Sequence, residues 1–157
     1  MSGPDKAALF AASVARTLKD TRYPSVLISF DGNRESEEAG KAAARVFATK
    51  NIRVRLFRRP DGREDAMAAT KELDCDLGFL FGINEDGVFY AEVFDRNGEP
   101  ADAYKMAAIR SSMKDRDEQM TAFAFEYCVI RGLVLFVDPE VISAMAWKNS
   151  LRAQAQD

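Results

Sequence analysis

The apolar positions of this chain change period several times. After Pro4, a residue suited to the first turn of a helix, Ala7, Phe10, Ala11, Val14 and Leu18 recur at helical spacing and predict an amphipathic helix. Tyr23-Pro24-Ser25 ends it. Val26 to Phe30 is apolar at every position but Ser29, the pattern of a strand buried on both faces of a parallel sheet. Asp31-Gly32-Asn33-Arg34 reads as a turn. From about Glu35 to Lys50 the stripe Ala39, Ala42, Ala43, Val46 and Phe47 predicts a second helix. Glu35, Glu37 and Glu38 sit near its positive end and Lys50 near its negative end, as the macrodipole favours. Ile52, Val54 and Leu56 then alternate with Arg53 and Arg55, a strand with one wet face, expected near a sheet edge.

Pro60-Asp61-Gly62 turns the chain into a short helix through Ala66, Ala69, Thr70 and Leu73, and Leu77 to Phe81 is a further buried strand. Asn84-Glu85-Asp86-Gly87 leads into Val88 to Phe94. So short a connection makes this last pair antiparallel, since a parallel crossover needs about a dozen residues. The expected fold class is α/β, a three-layer-like mixed sheet of order αβαβαββ, followed by an α-helical C-terminal extension. After Glu99-Pro100 the pattern reads as helix only. One helix covers Ala101 to Lys114, and a second starts near Asp117 and passes through Met120, Phe123, Tyr127 and Ile130. A third follows Asp138-Pro139 and carries Val141, Ile142, Met145, Ala146 and Leu151. The expected organisation is an α/β domain over residues 1–100 and a helical extension over residues 101–157.

Composition narrows the function classes. With 157 residues, 47% of them apolar, the chain can build a real core. A net charge of −3 gives no global attraction to nucleic acid or to an anionic membrane. The basic run from Arg53 to Arg63 has only Phe57 interleaved, so no nucleic-acid partner is expected. The absence of histidine removes the commonest general base and the commonest zinc ligand, and no metal or cofactor is expected. Cys75 and Cys128 make neither a disulfide framework nor a metal site and read as buried thiols of a reducing compartment, most simply the cytoplasm. The first residues lack a signal-peptide pattern, and the apolar tract from Ala122 to Val137 is too short to span a bilayer.

Val26-Leu27-Ile28-Ser29-Phe30-Asp31-Gly32, the Ala-rich helix after it, and Asn51-Ile52-Arg53-Val54-Arg55-Leu56-Phe57 together resemble the opening of the α-D-phosphohexomutases, the phosphoglucomutases and phosphomannomutases. Leu73 to Leu80 is similar to the segment before that family's active-site loop, and Val88 to Gly98 to the strand and turn after it. The resemblance covers about Ala7 to Pro100. It implies a loop between the last two strands carrying Thr-Ala-Ser-His-Asn-Pro, whose serine exchanges a phosphoryl group with the sugar. Here the corresponding stretch is Phe81-Gly82-Ile83-Asn84-Glu85-Asp86-Gly87, with neither serine nor histidine, and no serine occurs between Ser36 and Ser111. The family's Gly-Thr-x-Gly-x-Arg phosphate contact and its Asp-Gly-Asp-x-Asp-Arg magnesium loop do not occur either. The expectation is a domain that runs no mutase reaction.

Two kinds of site follow. Ligands of open α/β sheets sit beyond the carboxyl ends of the strands, where Arg34, Ser36, Arg58 and Arg59 form a candidate anion site for a sugar phosphate. Asp31, Glu35, Glu85 and Asp86, on the loops expected to meet there, would cancel much of that field. The other site is an interface. The stretch from Ala122 to Ile130 is apolar almost all round, which calls for burial all round. Phe123, Phe125, Tyr127, Met145 and Trp147 are the candidate contact residues for a protein partner or a second copy. The leading expectation is a structural or interaction subunit; the alternative is a regulatory module that binds a small-molecule phosphate.

Overall fold

A computed structural model describes residues 2–113 and 122–155. The elements run α1 (Gly3–Thr17), β1 (Ser25–Phe30), α2 (Arg34–Thr49), β2 (Arg53–Phe57), α3 (Arg63–Glu72), β3 (Leu77–Ile83), β4 (Phe89–Phe94), α4 (Ala103–Ser112), α5 (Phe125–Ile130), β5 (Val134–Val137) and α6 (Pro139–Ala155). The five strands form one sheet in the order β4-β3-β1-β2-β5. β1, β2, β3 and β5 are parallel, and β4 pairs antiparallel with β3, as its short connection requires.

Side-chain alternation assigns the layers. Ile28 and Phe30 lie in register with Phe79 and Phe81. Phe79 stacks on Phe47 of α2 at 5.5 Å and meets Phe10 of α1 edge-on at 5.6 Å, so α1 and α2 cover this face. Residues one step out of phase face the other way. There Leu80 packs with Ala66 of α3 and with Phe94. Gly78 is bare because Thr70 of α3 lies against it: an added Cβ would sit 1.9 Å from the Thr70 Oγ1. α5 joins the face of α1 and α2 through Phe125 on Phe136 at 6.2 Å. α6 runs along α3, where Ser143 Oγ donates to Asp65 Oδ1 and Asn149 Nδ2 to Glu72 Oε2, both at 2.7 Å. The result is the expected three-layer α/β arrangement with a C-terminal helix.

The extension departs from the helix-only expectation. Part of the predicted second helix, residues 117–121, lies outside the described residues. Residues 122–124 are not helical, and only Phe125–Ile130 is. Gly132, at φ +71, then ends the helical stretch, a conformation that glycine adopts without strain. The four residues after Leu133 enter the sheet as β5, in register with Val54 to Phe57. β2 is consequently not at an edge; its wet alternation reflects Arg53 and Arg55 on a strand whose outer side β5 covers. Nor is the apolar stretch buried all round, because Phe123, Tyr127 and Ile130 are exposed.

Candidate functional site

The carboxyl ends of β1, β2 and β3 bring the three predicted loops to one end of the sheet. The β1 loop is organised by Asp31. Its amide donates to the Phe81 carbonyl at 3.0 Å, its Oδ2 accepts from the Ile83 amide at 2.9 Å, and its Oδ1 accepts from the Asn33 amide at 3.0 Å. Asp31 thereby ties the end of β1 to the end of β3. Burial pushes its carboxyl up, but the Ser36 hydroxyl, the amides of Ile83 and Asn33 and the Asn33 side chain outweigh burial and hold it below its ordinary value. Ser36, in the first turn of α2, is fully buried. Its hydroxyl stands close enough to Asp31 to contribute to that lowering, without completing a hydrogen bond of good geometry.

The four residues of the candidate anion site do not share one pocket surface. Ser36 is turned toward a carboxylate. The Arg34 side chain is 92% exposed and pairs with Glu38 at 3.4 Å. Arg58 Nε contacts Asp138 Oδ1 at 3.1 Å, its guanidinium lies over the Phe136 ring at 5.1 Å, and Arg59 pairs with Glu140. Glu140 holds the Arg59 guanidinium above its ordinary pKa, and Arg59 holds Glu140 below its own. Asp138 and Glu140 come from the junction of β5 and α6, a region the sequence pattern had not placed beside β2. An anion at Arg58 and Arg59 would have to displace these carboxylates.

The connection between β3 and β4 is closed. Pairing persists to Ile83 opposite Phe89, leaving residues 84–88 as the turn. Asn84 Oδ1 accepts from the amides of Asp86 and Val88, both at 3.0 Å, and Asn84 exchanges backbone bonds with Val88 and Gly87. Gly87 takes φ +77, a conformation glycine adopts without strain, and Asn84 holds the turn together. Beside it Tyr90 lies over Gly82, where an added Cβ would meet the ring at 2.5 Å. Burial and the charges of Asp31 and Glu92 raise the Tyr90 pKa.

A cleft of about 380 Å³ opens at the other end of the sheet, between the last turns of α1 and α2, lined by Ala12, Leu18, Lys19 and Ile52 among others. Cys75 and Cys128 are both buried and unpaired, and burial pushes the Cys75 thiol up to about 11. No three acidic, cysteine or histidine side chains among the described residues are grouped to hold a metal ion.

The α/β/α architecture has a counterpart among known families. The family model for phosphoglucomutase/phosphomannomutase, α/β/α domain I, matches residues 3–120. The chain belongs to this family. Its fold is shared with a protein described as a phosphomannomutase of Thermus thermophilus, at 15% identity and a TM-score of 0.71, over 84% of this chain and 28% of that one. It is also similar to parafusin, a phosphoglucomutase and exocytosis-sensitive phosphoprotein of Paramecium, in an open form, at 16% identity and a TM-score of 0.64. That alignment covers 79% of this chain and 25% of parafusin. No curated protein matches the chain by sequence. This phosphohexomutase domain I therefore spans about a quarter of the length of the structures it resembles.

The predicted interface residues divide between two layers. Phe123, just before α5, and Tyr127 on it meet at 5.1 Å, and Phe125 is half-buried beneath Lys41, all on the α2 side of the sheet. Met145 and Trp147 lie on α6, on the α3 side. Sequence reasoning missed four exposed residues between and beside them, Ile130, Leu135, Val141 and Leu151. The signal that could have found Leu135 is the β-rich run Val134-Leu135-Phe136-Val137 just after a glycine. No helix among the described residues is long and apolar enough to cross a membrane.

Proposed function

We propose that this phosphohexomutase domain is a non-catalytic structural or interaction subunit, built into a larger assembly or a homo-oligomer. The observation that carries this reading is where the chain leaves apolar surface uncovered. Of the thirteen large exposed hydrophobics among the described residues, eight lie on or beside α5, β5 and α6, including Ile130 at 83% and Trp147 at 68% exposure. That is far more than their share of the chain, and such concentrations mark contact surfaces. The β3–β4 connection supports the non-catalytic half. The resemblance places the family's phosphorylated serine there, and this chain has a closed turn without serine or histidine.

The test has two parts. Light scattering coupled to size-exclusion chromatography is expected to give a defined assembly heavier than the 17.5 kDa chain, which Trp147→Asp or Phe123→Asp dissolves without unfolding it. Phosphoglucomutase and phosphomannomutase assays on the same sample are expected to give no turnover. A well-behaved monomer whose melting temperature rises with one hexose phosphate would overturn the reading in favour of anion sensing through Arg34, Ser36, Arg58 and Arg59.

A further inference from the structure

We propose that the partner is a second copy of this chain, docked antiparallel along the outer edge of β5; the proposal rests on the interaction reading above. Backbone alternation identifies the open groups. The Val54 amide donates to the Leu133 carbonyl and the Arg58 amide to the Val137 carbonyl, so residues 133, 135 and 137 point at β2. Val134 and Phe136 point the other way, and among the described residues their outward N–H and C=O groups have no hydrogen-bond partner. Edge strands are commonly protected by lysine, proline or another charge. Val134–Val137 carries none of these.

A twofold axis fits this edge, because an isologous contact needs a surface complementary to itself. Setting Val134 of one copy opposite Phe136 of the other makes both residues a bonded pair with their counterparts and satisfies all the outward groups of the two strands. The axis then passes beside Leu135. Leu135, 45% exposed, faces its own copy as a close, non-hydrogen-bonded pair. The same register brings Arg131 of one copy to the level of Asp138 and Glu140 of the other. Arg131 is exposed and has no acidic partner among the described residues, whereas Asp138 and Glu140 are carboxylates at the start of α6. The docking is therefore complementary in charge as well as in backbone, twice over by symmetry. Arg58 and Arg59 keep their pairs with those carboxylates and make the far side of the contact a mixed ionic network. α5 and α6 lie on the two sides of the sheet beyond this edge, which explains why exposed apolar residues occur on both rather than on one face.

The experiment is sedimentation equilibrium on the full chain and four variants, Trp147→Asp among them, with circular dichroism melts as the folding control. Wild type is expected to dimerise, at twice 17.5 kDa. Leu135→Lys, which sets two like charges across the axis, is expected to be monomeric with an unchanged melt. Arg131→Glu is expected to raise the dimer dissociation constant by about tenfold, from two exposed ion pairs lost together. Leu135→Cys is expected to form a disulfide-linked dimer on mild oxidation, the native cysteines being buried. A wild-type monomer throughout the soluble range overturns the proposal. So does a dimer that survives both charge changes and gives no Leu135→Cys crosslink. If that dimer still dissolves with Trp147→Asp, the interaction reading stands and only the edge is wrong; if no surface variant alters the mass, both fall.

Discussion

The face of the sheet under α1 and α2 and the segment from α5 to α6 are both rich in large apolar side chains, yet they dispose of them differently. Under α1 and α2, Phe10, Phe47, Phe79 and Phe81 interlock as stacked and edge-on rings, and Phe47, Phe79 and Phe81 are fully buried. Around β5, only Cys128, Val134, Pro139 and Ile142 are buried among the apolar residues; the others stay partly or largely exposed, Ile130, Val141 and Trp147 by more than half. The difference lies in neighbours. A central strand has a helix above and below it, whereas a four-residue edge strand is flanked by helices that pack on α2 and α3 more than on the strand itself. Apolar content therefore says how much surface must be covered, and topology says whether this chain can cover it alone.

The sharpest break in that comparison is at the centre. Phe79→Ala removes a ring held between Phe10 and Phe47 and should destabilise the fold by about 3–5 kcal/mol, measured by urea denaturation. Next comes Gly78. Because an added methyl would lie 1.9 Å from Thr70 Oγ1, and that hydroxyl is fixed by donating to the Ala66 carbonyl at 2.8 Å, Gly78→Ala should destabilise by about 1–3 kcal/mol. Thr70→Ala in the same chain should recover part of the loss; strictly additive effects would mean that the two groups are not in conflict. At the periphery, Trp147→Asp should change stability by less than about 0.5 kcal/mol while altering association, a split that no core residue can show. A large loss of stability from Trp147→Asp would mean that the extension is core after all.

How much of this was legible follows the same division. Each central element announces itself locally: Val26 to Phe30 is a run no solvent-exposed strand could carry, and Ala39, Ala43, Val46 and Phe47 mark the inner face of α2. The antiparallel β4 follows from the length of one turn. β5 does not announce itself. Phe123, Tyr127 and Ile130 continue a helical period right up to Arg131-Gly132, so the strand behind them merges into the same apolar tract. Its partner, β2, is remote in sequence, and pairing over such a distance leaves no local periodicity. The candidate anion site shows the same limit. Arg34, Arg58 and Arg59 are legible as cations at strand ends, and Ser36 as a polar residue at a helix start. Their electrostatic state depends on Glu38, Asp138, Glu140 and Asp31, and the carboxylates of the β5–α6 junction come into view only once β5 is placed beside β2.

The mildest test works where the two regions meet, at Asp61. Its amide donates to the Phe30 carbonyl at 3.3 Å and its Oδ1 accepts from the Gly62 amide at 2.6 Å, which fixes it at the end of the sheet. Asp65 of α3 and Glu140 of α6 crowd it, with Arg59 the nearby cation, paired to Glu140. Burial and these two carboxyl groups raise the Asp61 pKa, against the Gly62 amide, which lowers it. A carboxyl whose folded pKa is raised contributes stability that is fully present below its unfolded value near 3.8 and is lost as pH rises through the folded pKa. At neutral pH the ionised group therefore works against the fold. Asp61→Asn keeps the Oδ1 acceptor and removes the charge, so it should raise the melting temperature slightly at pH 7. That gain should shrink to nothing as the pH falls through the range where wild-type Asp61 takes up its proton. Asp31 has the opposite sign: its lowered pKa means that its contribution is present above 3.8 and lost below it, so the two carboxyls separate on a plot of melting temperature against pH. If Asp61→Asn is destabilising at pH 7, α6 does not press its acidic first turn against the end of the sheet, and the junction between the two regions is looser than its hydrogen bonds imply.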